Sequence, residues 1–234
     1  MRKFLVVILS LGIIAGIVLA YFWFLTPSAA TKRSRDVLSF IRKPETHQDR
    51  AIEAQTRCGD APFLFPTRGL IGYIWDDSFK PGHRHQGIDV FAGTEPGITP
   101  VYAAYDGWLT RESGWKSTVI IRVPADPLEP GRQIWAYYTH MADADGVSTI
   151  DTAFPPGTSE VFVKAGTLLG YQGNFSGTPG SPVGVHLHFS IVQDDGAGNY
   201  LNELEIGNTL DSSPYFGLPL NIADEPALPI LCKP

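Results

Sequence analysis

Cysteine is nearly absent from this chain: Cys58 and Cys232 are the only two in 234 residues. No Cys-x-x-Cys pair exists, which excludes cysteine-built zinc sites and thioredoxin-like redox chemistry. The helical His-Glu-x-x-His pattern is also missing, so that metalloprotease arrangement does not apply. Lysine and arginine total 18 against 24 acidic residues, giving a net charge of −6 with no basic stripe. Phosphate backbones are bound by clustered cations, so no nucleic-acid partner is expected. From about residue 61 onward the chain also lacks a convincing amphipathic helical pattern, an internal repeat and a low-complexity segment.

One long apolar run is present. Phe4 to Leu25 carries no charge. At about 1.5 Å per helical residue it spans roughly 33 Å, enough to cross a bilayer core. Arg2 and Lys3 precede it and place the N-terminus in the cytoplasm. Tyr21, Phe22 and Trp23 crowd its far end as an interfacial aromatic belt would. A cleaved signal peptide, cut near Ser28-Ala29-Ala30, is the rival reading. Both readings export the rest of the chain, and an uncleaved anchor is the expectation. The resulting division is a cytoplasmic N-terminus (1–3), a transmembrane anchor (4–25), a partly helical spacer (26–60), a β domain (61–211) and an extended C-terminal tail (212–234). Within the spacer, Ser34 to Arg42 is expected to be helical, Pro44 to interrupt it, and Asp49 to Arg57 to resume it.

Glycine (24) and proline (19) are abundant, and short apolar runs lie between them. This pattern indicates an all-β domain with many turns. Strands are predicted over 69–75, 100–110, 117–123, 133–141, 160–163, 167–173 and 184–193. The fold class is therefore mainly β: a small antiparallel, sandwich-like domain preceded by one N-terminal transmembrane helix. In an oxidising compartment, Cys58 and Cys232 are expected to pair and to bracket nearly the whole domain.

Five of the six histidines fall in three clusters: His83 and His85, His140, and His186 and His188. His47 stands alone in the spacer and reads as surface. In a strand, residues i and i+2 share a face, so His186 and His188 stand side by side with Leu187 and Phe189 turned the other way. His85 and Asp89, with Gly87 between them to let the backbone bend, supply a second pair of good zinc ligands. His83 competes with His85 on spacing alone. Two histidines and one aspartate leave a zinc coordination position open, which is the catalytic pattern, and such a zinc lowers the pKa of its water toward 7. His140 and His186 suit the accompanying proton transfers. The same ligand types also build iron-dependent oxygenase sites, but the exported setting and the two extra histidines argue against iron.

HQGID (85–89), PVYAAYDGWL (100–109), YYTHM (137–141) and VKAGTLLGYQGNFSGTPGSPVGVHLHFSI (163–191) together resemble the successive motifs of the lysostaphin/LytM-type zinc endopeptidases that cut peptidoglycan. The resemblance covers roughly residues 65 to 193. It implies that His85, Asp89 and His188 bind one Zn2+, that His140 and His186 are the catalytic pair, and that the substrate is a peptidoglycan peptide. It places the site in a groove between loops. Longer segments at 124–134, 142–160 and before the His-x-His motif bear on groove shape. The alternative is a non-catalytic wall-binding or hydrolase-activating module of the same fold. The expected location is membrane-anchored, with the domain on the extracytoplasmic side.

Overall fold

Strand β9 (Leu187–Gln193) shows how the sequence sorts itself between two faces. Leu187, Phe189 and Ile191 are fully buried in the main core, while His188, Ser190 and Val192 turn to the opposite face. The computed structural model containing this strand describes residues 29–78 and 82–232. The transmembrane segment expected over 4–25 lies outside the described residues. Among the described residues no helix is long and apolar enough to cross a membrane.

Eight strands form one sheet. They are β1 (Leu70–Tyr73), β2 (Ile88–Phe91), β4 (Gly107–Thr110), β5 (Val119–Val123), β6 (Ile134–Thr139), β7 (Val161–Val163), β9 and β10 (Thr209–Leu210). Their order is β1-β2-β9-β6-β5-β4-β7, with β10 pairing β9 off this path. A two-stranded sheet joins β3 (Pro100–Tyr102) to β8 (Leu168–Tyr171). All named pairings are antiparallel. Both sheets share one core, to which β3 and β8 contribute Val101 and Leu169 and the large sheet contributes Ile121, Tyr138 and Phe189.

The single strand expected over 100–110 is in fact two. Ala103 and Ala104, both fully buried, carry the chain from the small sheet to the large one, and Tyr138 Oη accepts the Ala104 amide at 2.9 Å. Periodicity read both segments as extended but held no information about the change of sheet. Tyr138 is thus a core residue.

The segment read as a spacer is largely built into the domain. Helix α1 runs over Ala29–Arg42, starting earlier than the expected Ser34, and the preference of Lys43 for extended backbone ahead of Pro44 accounts for its end. Val37 and Phe40 pack on Leu70 and Phe91 of β1 and β2. No α-helix forms over 49–57. After a 3-10 turn at Gln48–Arg50 the chain extends, and Ile52 pairs with Gly69 through bonds of 2.9 and 3.0 Å while its side chain enters the main core. Burial of Ile52 outweighs the local helical tendency.

Arg33 of α1 forms an ion pair with Asp77, and the two side chains are only 4% and 3% exposed. Removing one partner from such a pair strands a buried charge, at a cost of about 3–5 kcal/mol. Arg33→Ala is accordingly expected to lose that much unfolding free energy in denaturant titration of the full chain. A loss below about 1 kcal/mol would contradict the burial of the pair.

The tail does not lie extended over the surface. Helix α2 (Ser213–Phe216) sends Tyr215 and Phe216 into the core, and Leu218, Leu220 and Ile230 follow. Phe63 stacks on Tyr105 and packs against both Tyr215 and Phe216. Cys58 and Cys232 form a disulfide with Cα atoms 5.2 Å apart, tying the start of the domain to its end.

Candidate metal centre

Strand register places the predicted residues in one row. Asp89 of β2 lies opposite His188 of β9, and His188 lies opposite Thr139 of β6. His140 follows directly at the end of β6. Tyr73 of β1 lies on the other side of Asp89. The row occupies the sheet face turned away from the main core.

His85 reaches the row from the loop before β2. Its backbone pairs with Asp76 and Asp77 (2.8 Å each), and its Nδ1 donates to the Ile74 carbonyl at 3.0 Å. That bond leaves Nε2 without its proton and aimed inward. The chain bends at Gly87 as expected, and glycine serves a second purpose there. A Cβ there would stand 2.1 Å from the Phe189 carbonyl oxygen, so glycine permits the close approach of this loop to β9.

Three donor atoms converge. His85 Nε2, Asp89 Oδ1 and His188 Nδ1 are separated by 3.1, 2.9 and 3.1 Å. Around a tetrahedral zinc with bonds of about 2.0–2.1 Å, donor atoms stand about 3.3 Å apart, so this triangle fits the ion closely. All three residues are buried. Two imidazole nitrogens in such contact repel unless a proton or a cation lies between them. Among the described residues, these three form the group able to hold a metal ion. His83 lies outside it, its ring 6.4 Å from that of His85. His47 is half-buried and pairs with Ser39 Oγ at 3.1 Å.

His140 and His186 flank the triangle. Their ring centroids are 4.4 Å apart, and His140 is 6.2 Å from His188. His140 has a left-handed backbone, φ 71°. This is a costly conformation for a non-glycine residue and one that clusters at functional sites. Its Nδ1 donates to the Phe175 carbonyl at 2.7 Å, and His186 Nδ1 donates to Gly184 O at 2.6 Å. Both rings therefore offer an unprotonated Nε2; that of His186 is 3.6 Å from Asp89 Oδ1. Phe91 stacks on His186 at 4.9 Å, and α1 packs against Phe91 from behind.

Burial pushes His140 down to about 3, helped by the charges of His186 and His188. Burial also lowers His186, against the pull of Asp89. Asp89 would be raised by its own burial, but the imidazoles of His85, His186 and His188 around it hold it well below the carboxylate range. Burial likewise opposes the charge of His188, yet Glu203 and Asp89 raise it to about 10.

A histidine depressed in the folded state takes up its proton first in the unfolded state. The contribution of neutral His140 is therefore complete above about pH 6.5 and is lost as pH falls toward 3. Chelator-treated protein is expected to lose unfolding free energy over that window, and His140→Phe to lose less. Equal pH profiles for the two would remove His140 from the explanation.

Sequence reasoning missed Glu203. Its Oε1 accepts from His188 Nε2 at 2.8 Å and from Ser190 Oγ at 3.0 Å. The residue sits beyond the β9 turn in an irregular segment, and no motif marks it. The aromatics divide by strand. Trp115 and Tyr137 cluster with Trp135 and Tyr200 along the site face of β6, whereas Trp108 packs on Phe162 at the far edge of the sheet.

No protein-family model and no curated protein sequence matches the chain. Among solved structures it is similar to lysostaphin from Staphylococcus simulans, with a TM-score of 0.41 and 19% identity over 64% of this chain and 49% of that one. It is similar to the catalytic domain of the same peptidase, with a TM-score of 0.39 and 21% identity over 62% of this chain and 88% of that one. It also resembles LytM from Ruminococcus gnavus ATCC 29149, with a TM-score of 0.37 and 23% identity over 55% and 44% of the two chains. The match thus spans about half of full-length lysostaphin and less than half of the Ruminococcus protein.

Proposed function

We propose that this chain is a zinc-dependent endopeptidase of the lysostaphin/LytM type that cuts peptide bonds in peptidoglycan cross-links or stem peptides. The observation that carries the reading is the 2.9–3.1 Å triangle of His85, Asp89 and His188 donor atoms with two further histidines at its edge. His85, Asp89 and His188 would hold the zinc, and His140 and His186 would serve as the catalytic pair. When bound, the zinc supplies Lewis acidity that polarises a peptide carbonyl and lowers the pKa of water.

The protein's own groups manage the protons. Both candidate bases are anchored through Nδ1–H to backbone carbonyls, so each presents Nε2 as an acceptor. Burial keeps both neutral near pH 7, the state a general base requires. One of them takes the proton of the attacking water, and the imidazolium so formed returns it to the departing amine. Two imidazoliums 4.4 Å apart in a buried site would repel, which favours a single proton moving through the pair.

The domain is proposed to work outside the cytoplasm, tethered by the apolar run at 4–25. The Cys58–Cys232 disulfide supports an oxidising location. The test is digestion of purified peptidoglycan by the full chain, with and without chelator, read by mass spectrometry of the fragments. Chelator-sensitive release of cross-link or stem peptides is expected. Zinc-loaded protein that binds peptidoglycan and releases nothing would favour the non-catalytic module.

A further inference from the structure

We infer that Glu203 is a positioning residue for the metal centre: it holds His188 so that Nδ1 faces the ion, and it supplies a second negative charge behind that ligand. The inference rests on the proposed zinc site.

The four site histidines are not held alike. His85, His140 and His186 each fix Nδ1 on a backbone carbonyl and turn Nε2 inward. His188 is reversed. Its Nδ1 joins the donor triangle, and its Nε2 meets a carboxylate instead of a carbonyl. The ring can present Nδ1 to a cation only with the proton on Nε2, and Glu203 is the group that receives it. A carboxylate on the outer nitrogen of a ligating histidine fixes its tautomer and raises its basicity.

The contact is sheltered, with the His188 and Glu203 side chains 9% and 11% exposed. Ser190 donates to the same carboxylate oxygen, and because His188 and Ser190 are two apart on β9, both present that face to Glu203. The segment is tied at a second point, where Gln86 Nε2, next to His85, donates to the Leu204 carbonyl at 3.0 Å. Asn208 Nδ2 closes it from below on the Asn202 carbonyl at 2.9 Å. Glu203 and Leu204 thus brace the ring of one histidine ligand and the loop of the other. Charge argues in the same direction. Asp89 alone leaves a divalent cation half-compensated in a buried site, whereas Asp89 with Glu203 balances it.

The test is zinc affinity of the full chain by competition with a chromogenic chelator, alongside thermal unfolding of the chelator-treated protein. Glu203→Ala is expected to weaken zinc binding about 10–100-fold. Glu203→Gln, which keeps an acceptor for Nε2–H but loses the charge, should fall between Glu203→Ala and wild type. Glu205→Ala, an exposed change two residues on, should bind as wild type. A purely structural role would lower the unfolding temperature without moving the affinity. Wild-type affinity in folded Glu203→Ala overturns the assignment, as does an equal loss in Glu205→Ala. If Glu203→Ala fails to fold, unchanged affinity in Glu203→Gln overturns it. A wild-type chain that takes up no zinc would instead strike the zinc reading itself.

Discussion

Alanine in place of His140 or of His186 is expected to lower peptidoglycan cleavage at least ~100-fold, the scale on which a positioned acid–base group contributes, while zinc stays bound. Neither ring nitrogen belongs to the donor triangle. Each side chain is fixed by one bond to a backbone carbonyl, so its removal leaves β9, β6 and the triangle in place. The two losses should not multiply in the double variant, because groups that act as one unit are strongly non-additive. Asp89→Ala is the contrasting case. It removes the only carboxylate in the triangle and should abolish zinc binding together with activity. Metal content by elemental analysis and fragment release by mass spectrometry separate the two patterns. Full cleavage by either histidine variant, or loss of zinc from both, would sink the division of roles.

Serine at both Cys58 and Cys232 is expected to cost about 2–5 kcal/mol of unfolding free energy. The bridge spans a sequence separation of 174, and loop-closure entropy for a span of that size comes to about 5 kcal/mol. For a domain of this size that corresponds to an unfolding temperature lower by roughly 5–20 °C. The bridge also sits beside packing it helps to preserve: the carbonyl of Cys58 lies 2.7 Å from where a Cβ would stand on Gly217, just after the helix that buries Tyr215 and Phe216. Calorimetry of the serine variant and of reduced wild type should agree. A shift below about 1 kcal/mol would mean that the core of residues 63, 215 and 216 closes the domain without help.

The face that each β9 residue takes is readable from period-two alternation alone, and His186-Leu187-His188-Phe189 follows it. The pairing of Asp89 with His188 is not readable in that way. It depends on a register between strands that start 99 residues apart, set by Gly87 allowing β2 and β9 to approach. The split of 100–110 was hidden because both halves are extended and apolar, and only partner strands reveal that they belong to different sheets. The α1 segment looked like a tether because its apolar face is short. Its worth comes from Leu70 and Phe91, which meet it from elsewhere in the chain.

By itself the sequence determined the mainly β class, the cysteine pair available for a bridge, and the small set of histidine and aspartate residues from which a metal site can be built. These follow from residue chemistry and local periodicity, which act over a few positions. Tertiary structure alone decided which nitrogen of each histidine faces inward, that Glu203 stands behind His188, and that the tail and the supposed spacer complete the core and the wall of the site. Those outcomes depend on hydrogen-bond partners and burial brought together from distant positions, and no local pattern encodes them.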